Sequence, residues 1–227
     1  MTDSIWKFKD WIPIHMIKTH NIYTLSINPN SIWFLRKNPN LIYWSYLSYN
    51  ENAIDLLSQN LDKVNWDNLS LNTSAIDLLS QNQDKINWRY LSSNPSAIYL
   101  LSKNQDKINW KMLSKNSGAM DLLMKNQDKI NWFNLSLNPS AIDLLSQNLD
   151  KVNWDNLSTN PAAIDILMKN QDKINPLSIF RNPNIFEIDY LTIKTRINIY
   201  SEELMMRALH PSRIQKMIDN GFDINDF

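Results

Sequence analysis

Three histidines, His15, His20 and His210, are the only imidazoles in the chain, and no cysteine accompanies them. Their spacing fits neither a metal-ligand set nor a nucleophile–base–acid triad. The missing thiols exclude disulfides and thiolate-held metals. Carboxylates are plentiful, but they come in columns. Asp55, Asp77, Asp121, Asp143 and Asp165 form one. Asp62, Asp84, Asp106, Asp128, Asp150 and Asp172 form another, each followed by Lys. A catalytic residue is needed once, beside a partner, whereas these are copied from unit to unit. Gly118 and Gly221 are the only glycines, too few for a loop that cradles phosphate. The expectation is a chain that is not an enzyme, with no catalytic residue, no metal and no cofactor.

The remaining columns invite binding chemistry. Trp44, Trp66, Trp88, Trp110, Trp132 and Trp154 recur every 22 residues without a slip. Regular indoles can stack bases or cage a cation. Each, however, shares a helix face with a repeated Leu three positions on, as Trp88 does with Leu91 and Trp110 with Leu113. The expected role is a buried spine between repeats. Two Asn columns accompany it: Asn50, Asn72, Asn94, Asn116, Asn138 and Asn160, and Asn65, Asn87, Asn109, Asn131 and Asn153. These read as helix caps, at ~1 kcal/mol each, or as buried ladders. The first Asp column falls on the solvated face of its helix, with Asp121–Lys125 and Asp165–Lys169 at i,i+4 spacing. The second is expected to be neutralised by its own Lys.

A fixed short period requires units that bury their apolar faces against one another. In Leu69–Tyr90, Asn72 stands at an N-cap, and Pro95, Pro139 and Pro161 follow the homologous Asn in other units. Ala75, Ile76, Leu78 and Leu79 then fall on one side of a helix of roughly two and a half turns. Asn82 is expected to close it in the left-handed conformation. Ile86 is the buried point of a loop, and Asn87 caps a second, shorter helix carrying Trp88 and Leu91. Helices this short do not persist alone. The units run Leu25–Tyr46, Leu47–Asn68, Leu69–Tyr90, Leu91–Met112, Leu113–Asn134 and Leu135–Asn156, and one more starts at Leu157 and breaks at Pro176, where Trp is due. The expected fold is an all-α solenoid of about seven 22-residue two-helix repeats. Residues 1–24 are read as an N-terminal cap, 25–176 as the array and 177–227 as a C-terminal helical cap. Within the last, Ser201 is expected to cap a helix over SEELMMRALH and Pro211 to start another.

The 23 basic and 23 acidic residues give no net charge, hence no broad field for nucleic acid or an anionic membrane. No apolar run is long enough to span a bilayer, and the start MTDSIWKFKDWIPIHMIK has no signal-type apolar core. A soluble, cytoplasmic protein is expected. Against the constant framework one row varies, beside and after each Trp. It reads Ser45, Tyr46, Tyr49; Asp67, Asn68, Leu71; Arg89, Tyr90, Ser93; Lys111, Met112, Lys115; Phe133, Asn134, Leu137; Asp155, Asn156, Thr159. All are expected to lie opposite the Trp–Leu face. Aromatic and Arg residues anchor many protein interfaces, which makes Arg89, Tyr90, Lys111, Met112, Lys115 and Phe133 the candidate contact surface for another protein. Single-stranded nucleic acid is the alternative partner, by analogy with helical arrays that read one base per repeat.

The unit NPxAIxLLxxNxDKINWxxLS, written here from Asn138 as NPSAIDLLSQNLDKVNWDNLS, resembles tandem repeats in uncharacterised proteins of large nucleocytoplasmic DNA viruses of algae and amoebae. The tail EELMMRALHPSRIQKMIDNGFDINDF resembles an ending common among proteins of those viruses. The resemblance implies a viral origin, in host cytoplasm or virion, which adds a structural part of a virion as a third expected role, and it carries no activity with it.

Overall fold

A computed structural model describes residues 8–10 and 23–220, and every regular element among them is helical. The chain divides into two units, Met1–Pro183 and Asn184–Phe227. Most of the segment 1–24 lies outside the described residues, as does the INDF tail; Phe8 packs its ring on Trp33 and Phe34.

In the first unit each repeat contributes a core helix and a shorter Trp helix. The core helices are Ile32–Lys37, Ile54–Ser58, Ile76–Gln81, Ile98–Lys103, Met120–Met124, Ile142–Ser146 and Ile164–Lys169. The Trp helices are Trp44–Leu47, Trp66–Leu71, Trp88–Leu91, Trp110–Ser114, Trp132–Leu135 and Trp154–Thr159. Pro176–Ile179 takes the place of a further Trp helix: Pro176 fits its first position and Asn175 accepts from the backbone N–H of Leu177 and Ser178. The array is an all-α repeat solenoid.

Leucine, rather than tryptophan, makes the spine. Leu47, Leu69, Leu91, Leu113, Leu135 and Leu157 are wholly buried, as are Leu57, Leu79, Leu101, Leu123 and Leu145 from the core helices and the small Ala53, Ala75, Ala97, Ala119, Ala141 and Ala163. The indoles pack against this core but are only partly buried. This corrects the expected buried Trp column. The leucine three positions on is wholly enclosed by the core, whereas the larger indole packs on the core's edge and reaches the surface.

Polar side chains tie one repeat to the next. The Nδ2 of Asn94 donates to the carbonyls of Ser70 and Asn72, both at 3.1 Å, and Asn116 does the same to Ser92 and Asn94. The rung recurs at Asn138, Asn160 and Asn182. Meanwhile each Oδ1 accepts from the N–H two residues on, as Asn94 does from Ser96 and Asn116 from Gly118. These asparagines therefore cap a turn and bridge repeats together; the α-helix proper starts only at Ile76, Ile98 or Met120. A serine column works beside them. Ser92 Oγ donates to the carbonyl of Trp88 and accepts from the N–H of Asn109, and Ser114 serves Trp110 and Asn131 alike. All are buried yet satisfied, the condition under which buried polar groups persist. Since Asn182 makes the full rung, the regular array runs to Pro183, seven residues past the boundary at 176 read from the loss of Trp.

The core helices stop by a different device from the one expected. Asn82 has φ −131° and ψ 49°, outside the left-handed region. Its Nδ2 donates to the Leu78 carbonyl at 2.8 Å, four residues back, so the side chain satisfies a terminal carbonyl without positive φ. Asn60, Asn104, Asn126, Asn148 and Asn170 repeat it.

The second unit contains the helices Tyr190–Ala208 and Pro211–Asp219. Ser201 lies inside the first and does not cap it; its Oγ donates back to the Asn198 carbonyl. The helix starts eleven residues earlier, where Asp189 accepts from the backbone N–H and hydroxyl of Thr192, bonds that hold its carboxyl below the ordinary value. Pro211 does open the second helix, and His210 caps it: its Nδ1 accepts from the backbone N–H of Ser212 and lies 2.8 Å from that residue's Oγ. Leu191, Ile197, Leu204 and Met205 of this unit are exposed.

Candidate functional site

The residue after each Trp points outward. Arg89, Lys111, Lys115 and Phe133 are exposed as expected, Phe133 at 53%. Tyr90 and Met112 are half-buried, and Asn134, two residues after its Trp, is buried. That second position is a contact column between repeats, which corrects the reading of it as free surface. Asn68 donates to the Ser45 carbonyl at 2.8 Å, Asn134 to the Lys111 carbonyl at 2.6 Å and Asn156 to the Phe133 carbonyl at 2.7 Å. Where Tyr46 fills the place, its ring stacks on Tyr23 with centroids 4.6 Å apart. Tyr90 and Met112 thus contribute only their outer edges to the surface, while Arg89, Lys111 and Phe133 head consecutive Trp helices.

The indoles are neither bare platforms nor sealed core. Each carries the ammonium of a lysine from the next repeat over its ring: Lys63 on Trp44, Lys85 on Trp66, Lys107 on Trp88, Lys129 on Trp110, Lys151 on Trp132 and Lys173 on Trp154, at 4.6 to 5.1 Å from the centroid. Such contacts contribute about 0.5–1 kcal/mol at exposed sites. The lysines after the loop aspartates, expected to neutralise that acidic column, are committed to the rings instead. One face of each indole therefore packs on core and the other meets a cation. Neither face is bare.

Among the described residues the ion pairs within 4 Å are Arg36–Asp55 and Arg207–Glu203. The i,i+4 pairs Asp121–Lys125 and Asp165–Lys169 are not closed: Lys125 lies beyond its five-residue helix, and both lysines reach into water. Both Asp columns are exposed. Among the described residues, no group of three His, Cys, Asp or Glu could hold a metal ion, and no helix is long and apolar enough to cross a membrane.

Two features escaped sequence reasoning. The Ser column recurs as the Leu-Ser pair in unit after unit, but nothing in a small polar residue beside an apolar one tells that its hydroxyl bridges to the next repeat. Asp67 and Asp155, placed by the sequence in the variable row, are structural: Asp67 Oδ1 accepts from Asn87 Nδ2 at 2.7 Å, and Asp155 Oδ1 from Asn175 Nδ2 at 2.6 Å.

The fold defines a structural class, an all-α repeat solenoid whose buried Leu, Ala, Asn and Ser columns are constant while the row beside each Trp varies. Compared with protein-family models, with curated proteins and with solved structures, the chain shows no match.

Proposed function

We propose that this chain is a non-catalytic scaffold that binds another protein along its Trp helices, centred on Arg89, Lys111, Lys115 and Phe133, with Tyr90 and Met112 at the edge. One observation carries the reading. The Asn rungs, the Ser bridges and the Leu spine repeat with nearly constant geometry, while side-chain identity changes in the row mounted on them. A frame that gives each position a fixed place lets a few substitutions set a partner without disturbing the fold. Cations and aromatics gather at the middle repeats and not at Asp67 or Asp155, as interface anchors do. A viral origin, which the repeat string and the tail suggest, would place that partner in an infected host cell or a virion.

Affinity capture tests this with wild type and with Lys111→Ala/Phe133→Ala, each with and without nuclease. A protein retained by wild type, lost with the variant and insensitive to nuclease supports the scaffold. Retention that nuclease abolishes would transfer the reading to single-stranded nucleic acid.

A further inference from the structure

The Asp67–Asn87 and Asp155–Asn175 bonds show what the space beside each Trp helix accepts. In every Trp-bearing repeat from Asn65 to Asn153, Oδ1 of the Asn before the Trp is engaged by the backbone N–H three residues on, as Met112 N–H engages Asn109 and Asn134 N–H engages Asn131. That bond fixes which end of the carboxamide is oxygen, so the direction of Nδ2 is set as well. At Asn87 and Asn175 the residue twenty positions back is Asp, and a carboxylate oxygen takes the Nδ2 proton. At Asn109 and Asn131 the residue twenty positions back is Arg89 or Lys111. Both side chains carry donors only. Among the described residues, neither Nδ2 meets an acceptor, and at both an exposed cation stands in the position that Asp67 and Asp155 hold in their repeats.

Resting on the scaffold reading above, we infer that the middle repeats bind an acidic peptide segment, whose carboxylates take at Asn109–Arg89 and Asn131–Lys111 the place that Asp67 and Asp155 take within the chain. Each rung offers one amide N–H and one cation, the donor set of a charge-assisted carboxylate contact. The five-residue helix Trp110–Ser114 is too short for its terminus to matter, and the attraction comes from side chains. Packed helices lie about 8–10 Å apart, close to the ~9 Å that a polyproline II segment rises in one three-residue turn, which returns every third side chain to the same face. Acids three apart along the peptide therefore meet consecutive rungs. Lys115 adds a third cation at the edge, and Phe133 gives the adjoining repeat an apolar contact. A phosphate backbone would satisfy the same charges, but its bases would find the indoles already covered by lysine.

The test is fluorescence anisotropy of the full chain with a labelled peptide of repeating Glu-Ser-Ser, the same peptide with Gln for Glu, and an oligothymidylate of matched charge. The variant is Arg89→Asp/Lys111→Asp, which places at both sites the residue the fold already uses at 67 and 155; an unchanged thermal midpoint verifies its folding. Arg89→Gln/Lys111→Gln is a second variant that removes charge alone. The expected result is binding of the Glu peptide by wild type, with at least about a tenfold loss on Glu→Gln in the peptide and on either double substitution. Equal binding of the two peptides, undiminished binding by the variants, or tighter binding of oligothymidylate with the same dependence on Arg89 and Lys111 would overturn the inference. If the Glu peptide does not bind while Lys111→Ala/Phe133→Ala still loses a captured protein, the carboxylate assignment falls and the scaffold stands.

Discussion

Asn116 shows how one side chain supports the array. Its Nδ2 joins two carbonyls of the preceding repeat and its Oδ1 takes the Gly118 N–H, three bonds from a residue almost wholly buried. A buried carboxamide can be kept only on those terms. Asparagine columns were legible in the sequence as caps or ladders, and they prove to be both. The tryptophans were misjudged because a shared helix face was taken for equal depth: the indole and the leucine three positions on lie on one side, but the leucine holds the centre. This gives a stability ordering. Leu113→Ala removes a wholly buried side chain and should cost about 3–4 kcal/mol, within the range for such truncations. Trp110→Ala gives up only part of its surface and the contact with Lys129, about 2–3 kcal/mol. Urea unfolding of the two variants measures the difference. A larger loss at Trp110 would restore tryptophan as the spine.

At the scale of the element, the rules that worked were local. Asn followed by Pro marks the turn before a core helix at Pro95, Pro139 and Pro161, with the preceding Asn extended at ψ near 115° as a residue before proline must be. Asn116 has the same backbone, φ −80° and ψ 115°, but Ser117 follows it. Ser117→Pro should therefore raise stability by about 0.4–1 kcal/mol, because proline restricts the unfolded chain at a site the fold already presents to it. A lower thermal midpoint would mean that this repeat differs from its neighbours in a way its backbone angles do not show. The same rules misled at Ser201, which looks like a cap preceding two glutamates although the helix had begun at Tyr190. A cap signal is informative only where the residues before it are not themselves helical.

Over the whole molecule, the period fixed the fold class before any single helix was certain, since only stacked units can bury faces this small. What the period did not reveal was where the array ends. Losing Trp at 176 looked like termination, but the Asn182 rung and the packing of Ile179 on the core carry the geometry on to Pro183. A fragment cut after Pro183 should keep the helicity and midpoint of the array. One cut at Lys173 should aggregate or melt early, because it loses Pro176–Ile179 and the final rung. Equal midpoints for the two fragments would put the end of the array back near 173. The candidate surface was legible in part: its exposed members came from variation on a repeat, whereas the open amides of Asn109 and Asn131 depend on contacts across twenty residues that no local pattern encodes.

The separation of constant frame from variable row is most directly tested by making the middle repeats read as Trp66–Leu69 and Trp154–Leu157 already do, Trp-Asp-Asn-Leu. The substitutions are Arg89→Asp, Tyr90→Asn, Lys111→Asp, Met112→Asn and Phe133→Asp, with partner capture and thermal unfolding measured on one preparation. Each change supplies a bond that the fold already forms elsewhere, so the midpoint should equal or exceed that of wild type while the captured partner is lost. A native-like variant that still holds every wild-type partner, or one that unfolds, would contradict the account.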